Sequence, residues 1–235
     1  ADVKLVIFRR DGCAVAQRKK AKKTGKLYAF GRMLLSWFYL PVYRIHVLGR
    51  ENVPEEGPVL LCSNHVAMKD PVMLGIVQKR QVFYMAKEEL FRNGFIGGLL
   101  RRLGAFPVRR GTGGTDALEE AYTLLEEDAV VGVFIEGHRS KTGELQKPKT
   151  GAALLCYRTQ APVVPVCITA EDGRLPRPFH RTVIQFGKPV PAERLQIPDD
   201  SSMQLRRASR TIMGEIAALR EESLKYLGSS SAQAG

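Results

Sequence analysis

The sequence predicts an α/β fold in which a single, largely buried mixed sheet is flanked by helices, with a basic and aromatic helical segment at the N-terminus. Three observations lead to this prediction. The 235 residues are 44% apolar and 26% charged, which is typical of a packed globular protein with a full core. From residue 52 onward, short apolar runs alternate with helix-like patterns, as they do in α/β domains. The N-terminal fifth is basic and rich in aromatic residues.

The net charge of +12 is concentrated near the N-terminus. Residues 1–50 contain 12 Lys or Arg against 2 Asp or Glu, whereas residues 51–235 contain 24 against 22. A nucleic-acid enzyme more often spreads basic residues over its binding face, while a basic segment beside an apolar one is typical of proteins at anionic membrane surfaces. The charge distribution therefore favours a membrane surface, and not nucleic acid, as a partner.

Residues 1–47 form the first predicted unit, a segment that associates with membranes. A cationic run at residues 18–26 precedes an aromatic stretch at 27–47, whose densest apolar part, 33–43, is about half the length that spans a bilayer. Trp, Tyr and flanking Lys or Arg favour the headgroup region, so the segment is predicted to lie in the membrane surface. The alternative is an ordinary core helix behind a solvated run of charges.

Residues 48–227 form the predicted α/β domain. Six strands are predicted from short apolar runs, at 59–62, 82–86, 105–108, 130–135, 163–168 and 183–186. Helices are predicted at 116–127, 151–158 and 201–226. The apolar faces of the first and last comprise Leu118, Ala121, Tyr122 and Leu125, and Leu205, Ile212, Ile216 and Leu219. Residues 228–235 have few apolar side chains and are predicted to be a frayed tail.

The cysteines and histidines indicate neither a disulfide framework nor a metal site. Cys13, Cys62, Cys156 and Cys167 lie far apart, which favours a reducing, cytoplasmic setting. The sequence has no H-E-x-x-H motif and no loop with calcium-site spacing. We therefore expect no metal and no cofactor.

Charged and polar residues follow several predicted strands at the point where each strand ends. They are His65, Lys87, Arg109, Arg110, Glu136 and Arg139. In open α/β sheets, ligands bind outside the carboxyl ends of the strands. This convergence of a base, an acid and several cations predicts a site for an anionic substrate.

His65 and Asp70 form the first candidate pair. Five positions along a regular helix would turn their side chains about 140° apart, so they meet only if a turn lies between them. Asp70-Pro71 is a natural helix start with Asp as the N-cap, which leaves residues 64–69 as a loop. The functional interpretation is a general base whose ring tautomer is fixed by a carboxylate. The alternative is a capping Asp beside an incidental loop histidine.

Residues 134–140 form the second candidate group, in which an apolar strand delivers an acid, a glycine and a guanidinium. Gly137 permits a positive φ or a close backbone approach. Arg139 suits bidentate phosphate recognition, and Arg109 or Arg110 would supply a second fork. The alternative is a surface Glu136–Arg139 pair worth about 0 to 1 kcal/mol.

Taken in order, these motifs resemble the glycerolipid acyltransferases, the family typified by lysophosphatidic acid acyltransferase. The resemblance covers roughly residues 55–170. It rests on Asn64-His65 with Asp70 (N-H-x4-D), 87–91 (K-x-E-L-F), 104–110 (G-x5-R), 134–140 (F-P-E-G-T-R-S) and 164–166 (V-P-V). Three positions depart from the family pattern: Ile135 replaces Pro, His138 replaces Thr, and Arg109 replaces a commonly acidic residue.

The resemblance implies transfer of a fatty acyl group from acyl-CoA or acyl carrier protein to the free hydroxyl of lysophosphatidic acid. It implies His65 as the general base and Asp70 as the residue that orients it. The substrate-binding residues it implies are Arg110 and Arg139 for the phosphate, Lys87 and Arg109 as further candidates, and Glu136, Gly137 and Asn64. Glu136 would accept a hydrogen bond from the glycerol or orient Arg139. The expected location is the cytoplasmic face of the cell membrane, as a peripheral protein on an anionic surface.

Three other functions remain open at this level. The first is transfer by the same family to a different acceptor, which is glycerol 3-phosphate, a lyso-ornithine lipid or another lysophospholipid. A non-catalytic lipid-binding protein on the same fold is a second alternative, which His65 and Asp70 disfavour. A nucleic-acid binder driven by the basic N-terminus is the third, and the near-neutral remainder of the chain disfavours it.

Overall fold

A computed structural model describes residues 25–108 and 115–232, and these ranges contain seven α-helices and seven strands. The helices are α1 Lys26–Val42, α2 Asp70–Val77, α3 Gly94–Arg102, α4 Thr115–Glu126, α5 Gly151–Thr159, α6 Ala192–Leu195 and α7 Ser202–Ala232. The strands are β1 Ile45–Leu48, β2 Val59–Ser63, β3 Val82–Lys87, β4 Ala105–Val108, β5 Val130–Phe134, β6 Val163–Ala170 and β7 Thr182–Phe186. Cys13, Arg109, Arg110 and most of the predicted cationic run lie outside the described residues.

All seven strands form one mixed sheet in the order β1-β7-β6-β2-β5-β3-β4. Every neighbouring pair is parallel except β6 and β7, which are antiparallel. Strands β2 to β6 therefore end at one edge of the sheet, which we call the carboxyl edge, and β7 and β1 begin there. The predicted fold class, a single mixed sheet flanked by helices, is confirmed.

Alternation along β2 explains why both faces of the sheet are covered. Leu60 and Cys62 point into a cluster with α4, α5 and α7, whereas Val59 and Leu61 point into a second cluster with α1 and α2. All four side chains are at most 1% exposed, as expected for parallel strands buried on both faces. Because both faces are sealed, the carboxyl edge is where this sheet can present a site. The described cysteines, Cys62, Cys156 and Cys167, are buried free thiols.

Helix α1 packs one face on α2 and leaves the other exposed. On the packed face, the Tyr28 hydroxyl donates to the Gly75 carbonyl at 3.2 Å, and the Arg32 guanidinium donates to the Gln78 carbonyl. The exposed face consists of Leu27, Phe30, Met33, Leu34, Trp37 and Phe38, and Trp37 is 83% exposed. This is an amphipathic surface helix and not the core helix of the alternative interpretation. Among the described residues, no helix is long and apolar enough to cross a membrane.

Strand β1 is the one strand of the described sheet that the sequence does not predict. Its four residues are all partly exposed and lie at the edge of the sheet, so they show no alternation of buried and exposed positions. It pairs in parallel with β7, with Val47 opposite Ile184. The domain boundary predicted between residues 47 and 48 therefore falls inside a strand.

The helices differ from the predicted ones at several places. Helix α3 is not predicted because its sequence, GFIGGLLRR, contains three glycines, which lower helix propensity. The side chain of Asn93 compensates by accepting hydrogen bonds from the first-turn amides of Phe95 and Ile96. The short helix α6 was likewise absent from the predicted elements. Helix α7 continues to Ala232, so residues 228–232 belong to it and not to a frayed tail.

Candidate active site

The side chains of His65 and Asp70 meet across a turn at the carboxyl edge, which is the arrangement that the functional interpretation of this pair requires. His65 Nδ1 lies 2.8 Å from Asp70 Oδ2. The same carboxylate oxygen accepts the backbone amides of Val66 and Ala67, each at 2.7 Å. One oxygen thus fixes both the loop and the imidazole.

The prediction that Asp70 caps α2 is wrong. Asp70 is the first residue inside the helix, Lys69 occupies the N-cap position without a side-chain hydrogen bond, and Pro71 follows in the first turn. The carboxylate turns back to the loop amides at residues 66 and 67 instead of forward to the helix. A helix start at this position therefore anchors the loop that carries His65.

Burial and hydrogen bonding assign the ring tautomer of His65. Asp70 is fully buried while the His65 side chain is 17% exposed. An ionised carboxylate can only accept hydrogen bonds, so Nδ1 must carry a proton and donate it to Asp70 in the hydrogen bond. Nε2 remains as the basic nitrogen and makes no hydrogen bond with any residue that the structure describes.

An aromatic stack that the sequence does not reveal supports the imidazole. The His65 ring lies on the Phe134 ring, with centroids 3.9 Å apart and planes 17° apart, and Phe134 stacks in turn on Tyr84 at 5.7 Å. Gly132, opposite Tyr84 in the β3–β5 register, leaves room for the Tyr84 ring, since a Cβ there would lie 2.0 Å from it. Burial raises the pKa of Tyr84, with smaller contributions from Tyr28 and Asp70, so its phenol stays neutral.

Backbone hydrogen bonds join the 134–140 motif to the His65 loop. The Ser140 amide donates to the His65 carbonyl at 2.7 Å, and the Ile135 amide donates to the Ser63 carbonyl at 3.0 Å. At Gly137 the chain turns with φ of +74°, and a Cβ there would lie 3.0 Å from the Lys149 side chain. The glycine is therefore needed for the turn, as its position in the motif predicts.

Asn64 is predicted to bind substrate, but its side chain is occupied elsewhere. It is 1% exposed, its amide donates to the Ile168 carbonyl at 3.0 Å, and its carbonyl accepts the Ile168 amide at 2.9 Å. The carboxamide thus clamps the end of β2 to β6. Asn64 is a positioning residue for the loop that follows it.

Glu136 is fully buried beside the dyad. Its two carboxylate oxygens make no hydrogen bond of full geometry with the described residues. Burial raises its pKa to about 7, the nearby backbone amides of Gln146 and His65 oppose this, and the charge of Asp70 adds to it. Of its two predicted roles, orienting Arg139 is not seen, because no salt bridge joins them and Arg139 is exposed.

Two of the predicted cations, Lys87 and Arg139, are among the described residues, and both lie at this edge. Arg139 is exposed, and the next residue, Ser140, donates to the His65 carbonyl. Lys87 is exposed at the end of β3, opposite Val108, the residue before Arg109. Neither side chain pairs with an acidic residue that the structure describes, so both remain available to an anionic ligand. No cluster of three metal-ligating side chains occurs within the described ranges.

A sheet with a His–Asp dyad and cations at its carboxyl edge is the architecture of an acyl-transfer enzyme of the type that the motifs resemble. The sequence matches the acyltransferase family over residues 44–169, and the chain belongs to that family. The resemblance noted from the motifs is thereby confirmed.

The relatives carry a more specific name. A 1-acyl-sn-glycerol-3-phosphate acyltransferase from Bacillus subtilis is 35% identical over 122 residues, which cover 52% of this chain and 60% of the relative. The enzyme designated alpha from Bos taurus is 32% identical over 196 residues, covering 79% and 68% of the two chains. The chain thus spans about two thirds of the length of these relatives.

A solved structure shares the fold. The 1-acyl-sn-glycerophosphate acyltransferase PlsC from Thermotoga maritima superposes with a TM-score of 0.62 at 22% identity, covering 84% of this chain and 78% of that chain. This similarity confirms the predicted architecture of the sheet and its flanking helices.

Proposed function

We propose that this protein transfers a fatty acyl group from an acyl thioester, acyl-CoA or acyl carrier protein, to the free hydroxyl of 1-acyl-glycerol 3-phosphate, which yields phosphatidic acid. The observation that carries the proposal is the hydrogen bond between His65 Nδ1 and Asp70 Oδ2 at the open edge of the sheet. The names of the relatives support the acceptor.

The basic nitrogen of His65 gives the dyad its chemistry. Nε2 takes the proton of the acceptor hydroxyl while the hydroxyl oxygen attacks the thioester carbonyl carbon. Asp70 stabilises the imidazolium that forms and holds the ring in place. The new C–O bond forms, the C–S bond breaks, and the thiolate leaves as a free thiol after taking the proton from His65. The acyl group passes directly to the acceptor, so no acyl-enzyme is required.

The cations at the carboxyl edge bind the acceptor phosphate in this proposal. Arg139 supplies a planar guanidinium suited to two phosphate oxygens, with Arg110, Lys87 and Arg109 as its partners. Phosphate binding fixes the distance between the acceptor hydroxyl and Nε2, so it contributes to the rate as well as to affinity. The remaining predicted role of Glu136, a hydrogen bond to the glycerol, requires the loop that covers its buried carboxyl to move when the acceptor binds. Gly137 lets the backbone approach the glycerol portion.

The exposed face of α1 supplies the contact with the lipid that carries the acceptor. Its large apolar side chains are costly to leave in water and typical of helices that lie in the headgroup region. The cations of the N-terminal segment add attraction to an anionic surface. We infer that the protein binds peripherally to the cytoplasmic face of the cell membrane.

The proposal is tested by a thiol-release assay with purified protein, an acyl-CoA or acylated carrier protein as donor, and lysophosphatidic acid present or omitted. We expect thiol release that depends on the acceptor and that falls by about 10²- to 10⁴-fold in His65→Ala, with unchanged circular dichroism. As a matched control, His46→Ala removes a histidine of the edge strand β1, whose ring lies against Tyr226 of α7, and leaves most of the activity.

Two results would overturn parts of this proposal. Thiol release by His65→Ala at the wild-type rate would remove the general base. Absence of release by the wild type with lysophosphatidic acid, glycerol 3-phosphate and a lyso-ornithine lipid alike would favour the non-catalytic alternative. A preference for one of the last two acceptors would keep the mechanism and change the substrate.

A further inference from the structure

A groove of about 920 Å³ opens at the carboxyl edge, next to the loop that carries His65. Its walls come from two loops, residues 141–144 and 171–177, and from the second half of α7. The first loop follows Ser140, whose amide donates to the His65 carbonyl at 2.7 Å. In the second loop, the Pro176 carbonyl accepts a hydrogen bond from the Lys69 ammonium at 2.9 Å. Both loops are therefore bonded to the segment that positions the imidazole.

The three walls of the groove are fixed to one another. Gly143 packs directly on the second loop, since a Cβ at this position would lie 2.5 Å from the Arg174 carbonyl oxygen. From α7, the Arg220 guanidinium donates to the Glu144 carboxylate at 2.9 Å and to the Gly173 carbonyl at 3.1 Å. One arginine thus joins both loops to the helix, so the groove is formed before a ligand binds, as is usual for small-molecule sites.

Among the described residues, the charges that this groove leaves without an ion pair are positive. Its acidic residues are all paired, Glu144 with Arg220, Asp172 with Arg177, and Glu171 with His180 and Arg181. Lys141 and Arg174 are exposed and pair with no acidic residue that the structure describes. Lysine and arginine are the side chains that most often bind phosphate. The groove therefore suits a ligand that carries phosphate.

The groove and helix α1 lie on opposite faces of the sheet. Arg220 and Leu224 line the groove from α7, and α7 packs on the face to which Leu60 points. Helix α1 packs on the other face, to which Leu61 points. A ligand of the groove consequently approaches from the side away from α1, which is the side open to a water-soluble substrate.

The acyl donor of the proposed reaction has this chemistry. Acyl-CoA and an acylated carrier protein both hold the acyl group at one end of a pantetheine arm, and the other end of the arm bears phosphate. The length of the arm separates the phosphate from the thioester, so the phosphate binds away from the reacting carbon. A cationic groove beside the His65 loop is where the far end of such an arm would lie.

We propose that this groove binds the phosphate end of the donor's pantetheine arm, with Lys141 and Arg174 as the phosphate-binding side chains. The inference rests on the proposed function, since it assumes a thioester donor. Its consequence is that the two substrates use different cations. The donor phosphate binds on the α7 side of the sheet, and the acceptor phosphate binds to Arg139 and its partners.

The test compares acyl donors with and without phosphate. Lys141→Glu with Arg174→Glu reverses both charges in the groove. Arg206→Glu with Arg210→Glu is the matched control, because it makes the same charge change at exposed positions in the first half of α7. Thiol release is measured with lysophosphatidic acid as acceptor and with acyl-CoA, acylated carrier protein or acyl-pantetheine as donor. Acyl-pantetheine has the same thioester but no phosphate.

We expect the KM for the phosphate-bearing donor to rise by about tenfold in the groove variant, because charge-assisted contacts are replaced by repulsion. The kcat and the KM for lysophosphatidic acid should not change, since neither side chain is placed at the reacting atoms. The KM for acyl-pantetheine should be the same in the groove variant and the wild type. The control variant should match the wild type with every donor.

Three results would overturn the inference. An equal rise in KM for acyl-pantetheine would mean that the substitutions disturb the site and remove no phosphate contact. A rise confined to the KM for lysophosphatidic acid would assign the two cations to the acceptor. An unchanged KM for every donor would leave the groove without a role in donor binding. Failure of the proposed function is a different result, in which the wild type releases no thiol with any donor.

Inhibition provides a second measurement that does not depend on turnover of acyl-pantetheine. Phosphopantetheine and pantetheine are each added as competitors of the donor. We expect the wild type to bind phosphopantetheine about tenfold more tightly than pantetheine, and the groove variant to bind both equally. Lys141→Gln with Arg174→Gln should reduce the preference at an unchanged melting temperature. A wild type without preference for the phosphorylated compound would refute the inference.

Discussion

Three neighbours position the imidazole of His65. The Asp70 carboxylate holds Nδ1, the Phe134 ring covers one face, and the Ser140 amide binds the residue's own carbonyl. A hydrogen bond to a charged group is worth roughly twice a neutral one, so the carboxylate dominates. The contact between His65 and Asp70 is expected from the resemblance of the motifs, since their spacing alone leaves it open. The stacking on Phe134 depends on the pairing of β2 with β5, which local sequence does not specify.

Some residue assignments could not be made from the sequence for a physical reason. Asn64 belongs to a motif rich in polar residues, and nothing local indicates that its carboxamide binds Ile168, 104 positions away. Glu136 and the exposed residues 137–139 all follow the end of β5, yet Glu136 alone of these is buried. Burial is a property of the packed chain, and a motif does not encode it.

Glu136 gives the fold a dependence on pH whose sign follows from its raised pKa. Its pKa is about 7 in the folded state and 4.5 ordinarily, so between these values the folded protein binds more protons than the unfolded chain. The contribution of this group to the free energy of unfolding therefore falls as the pH rises from 4.5 through 7. Above pH 7 the buried carboxyl of Glu136 is ionised, and it lowers the free energy of unfolding by its full amount.

Replacing this carboxyl by a neutral amide should remove the effect. We expect Glu136→Gln to raise the melting temperature relative to the wild type at pH 7.5 by more than at pH 5, as measured by thermal unfolding at both pH values. Glu120→Gln, at an exposed position on α4, serves as the control and should show no such difference. An identical shift at the two pH values would mean that Glu136 titrates normally in the folded protein.

Among the secondary-structure elements, the sequence best predicts the strands that are buried on both faces of the sheet. β2 and β6 read as continuous apolar runs, and every residue of each is buried. β1 was missed because its stability comes from a strand distant in the chain, β7, and α3 was missed because its three glycines lower its helix propensity. The antiparallel direction of β7 was likewise not predicted, since an apolar run has no direction.

Helix α1 has one structural face and one exposed face, and substitutions should separate them. We expect Phe30→Ser with Trp37→Ser to weaken binding to anionic vesicles several-fold without lowering the melting temperature, because both side chains are exposed. Tyr28→Ala should instead lower the melting temperature, since Tyr28 is 5% exposed and bonded to Gly75. Vesicle cosedimentation and thermal unfolding provide the measurements.

Two outcomes would contradict this assignment of α1. Unchanged vesicle binding by the double variant would leave its exposed face without a lipid role. A lower melting temperature in that variant would mean that the face is packed. Deleting residues 1–47 is a poorer test, because the deletion also removes three of the four residues of β1.

Across the whole molecule, the candidate active site and the end of the exposed apolar face of α1 lie near the same edge of the sheet. The carboxyl edge carries the dyad, and α1 ends beside it at Val42, where the Phe179 amide binds. The chain reverses between β6 and β7 at the same edge. In the function that we propose, one orientation on a lipid surface serves both the apolar contacts and the approach of an acceptor to His65.

The uneven charge of the chain predicts how this binding depends on salt. Residues 1–50 carry most of the net charge, and raising the salt from roughly 0.1 to 1 M shortens the screening length from about 10 to about 3 Å. We expect cosedimentation with anionic vesicles to weaken over this range but to persist, because apolar contacts on α1 are not screened. Neutral vesicles should bind less, with little salt dependence. Tight binding to duplex DNA with a steep salt dependence would instead support the nucleic-acid alternative. DNA and an anionic lipid surface both attract the basic segment electrostatically, but only the lipid surface also binds the apolar side chains of α1.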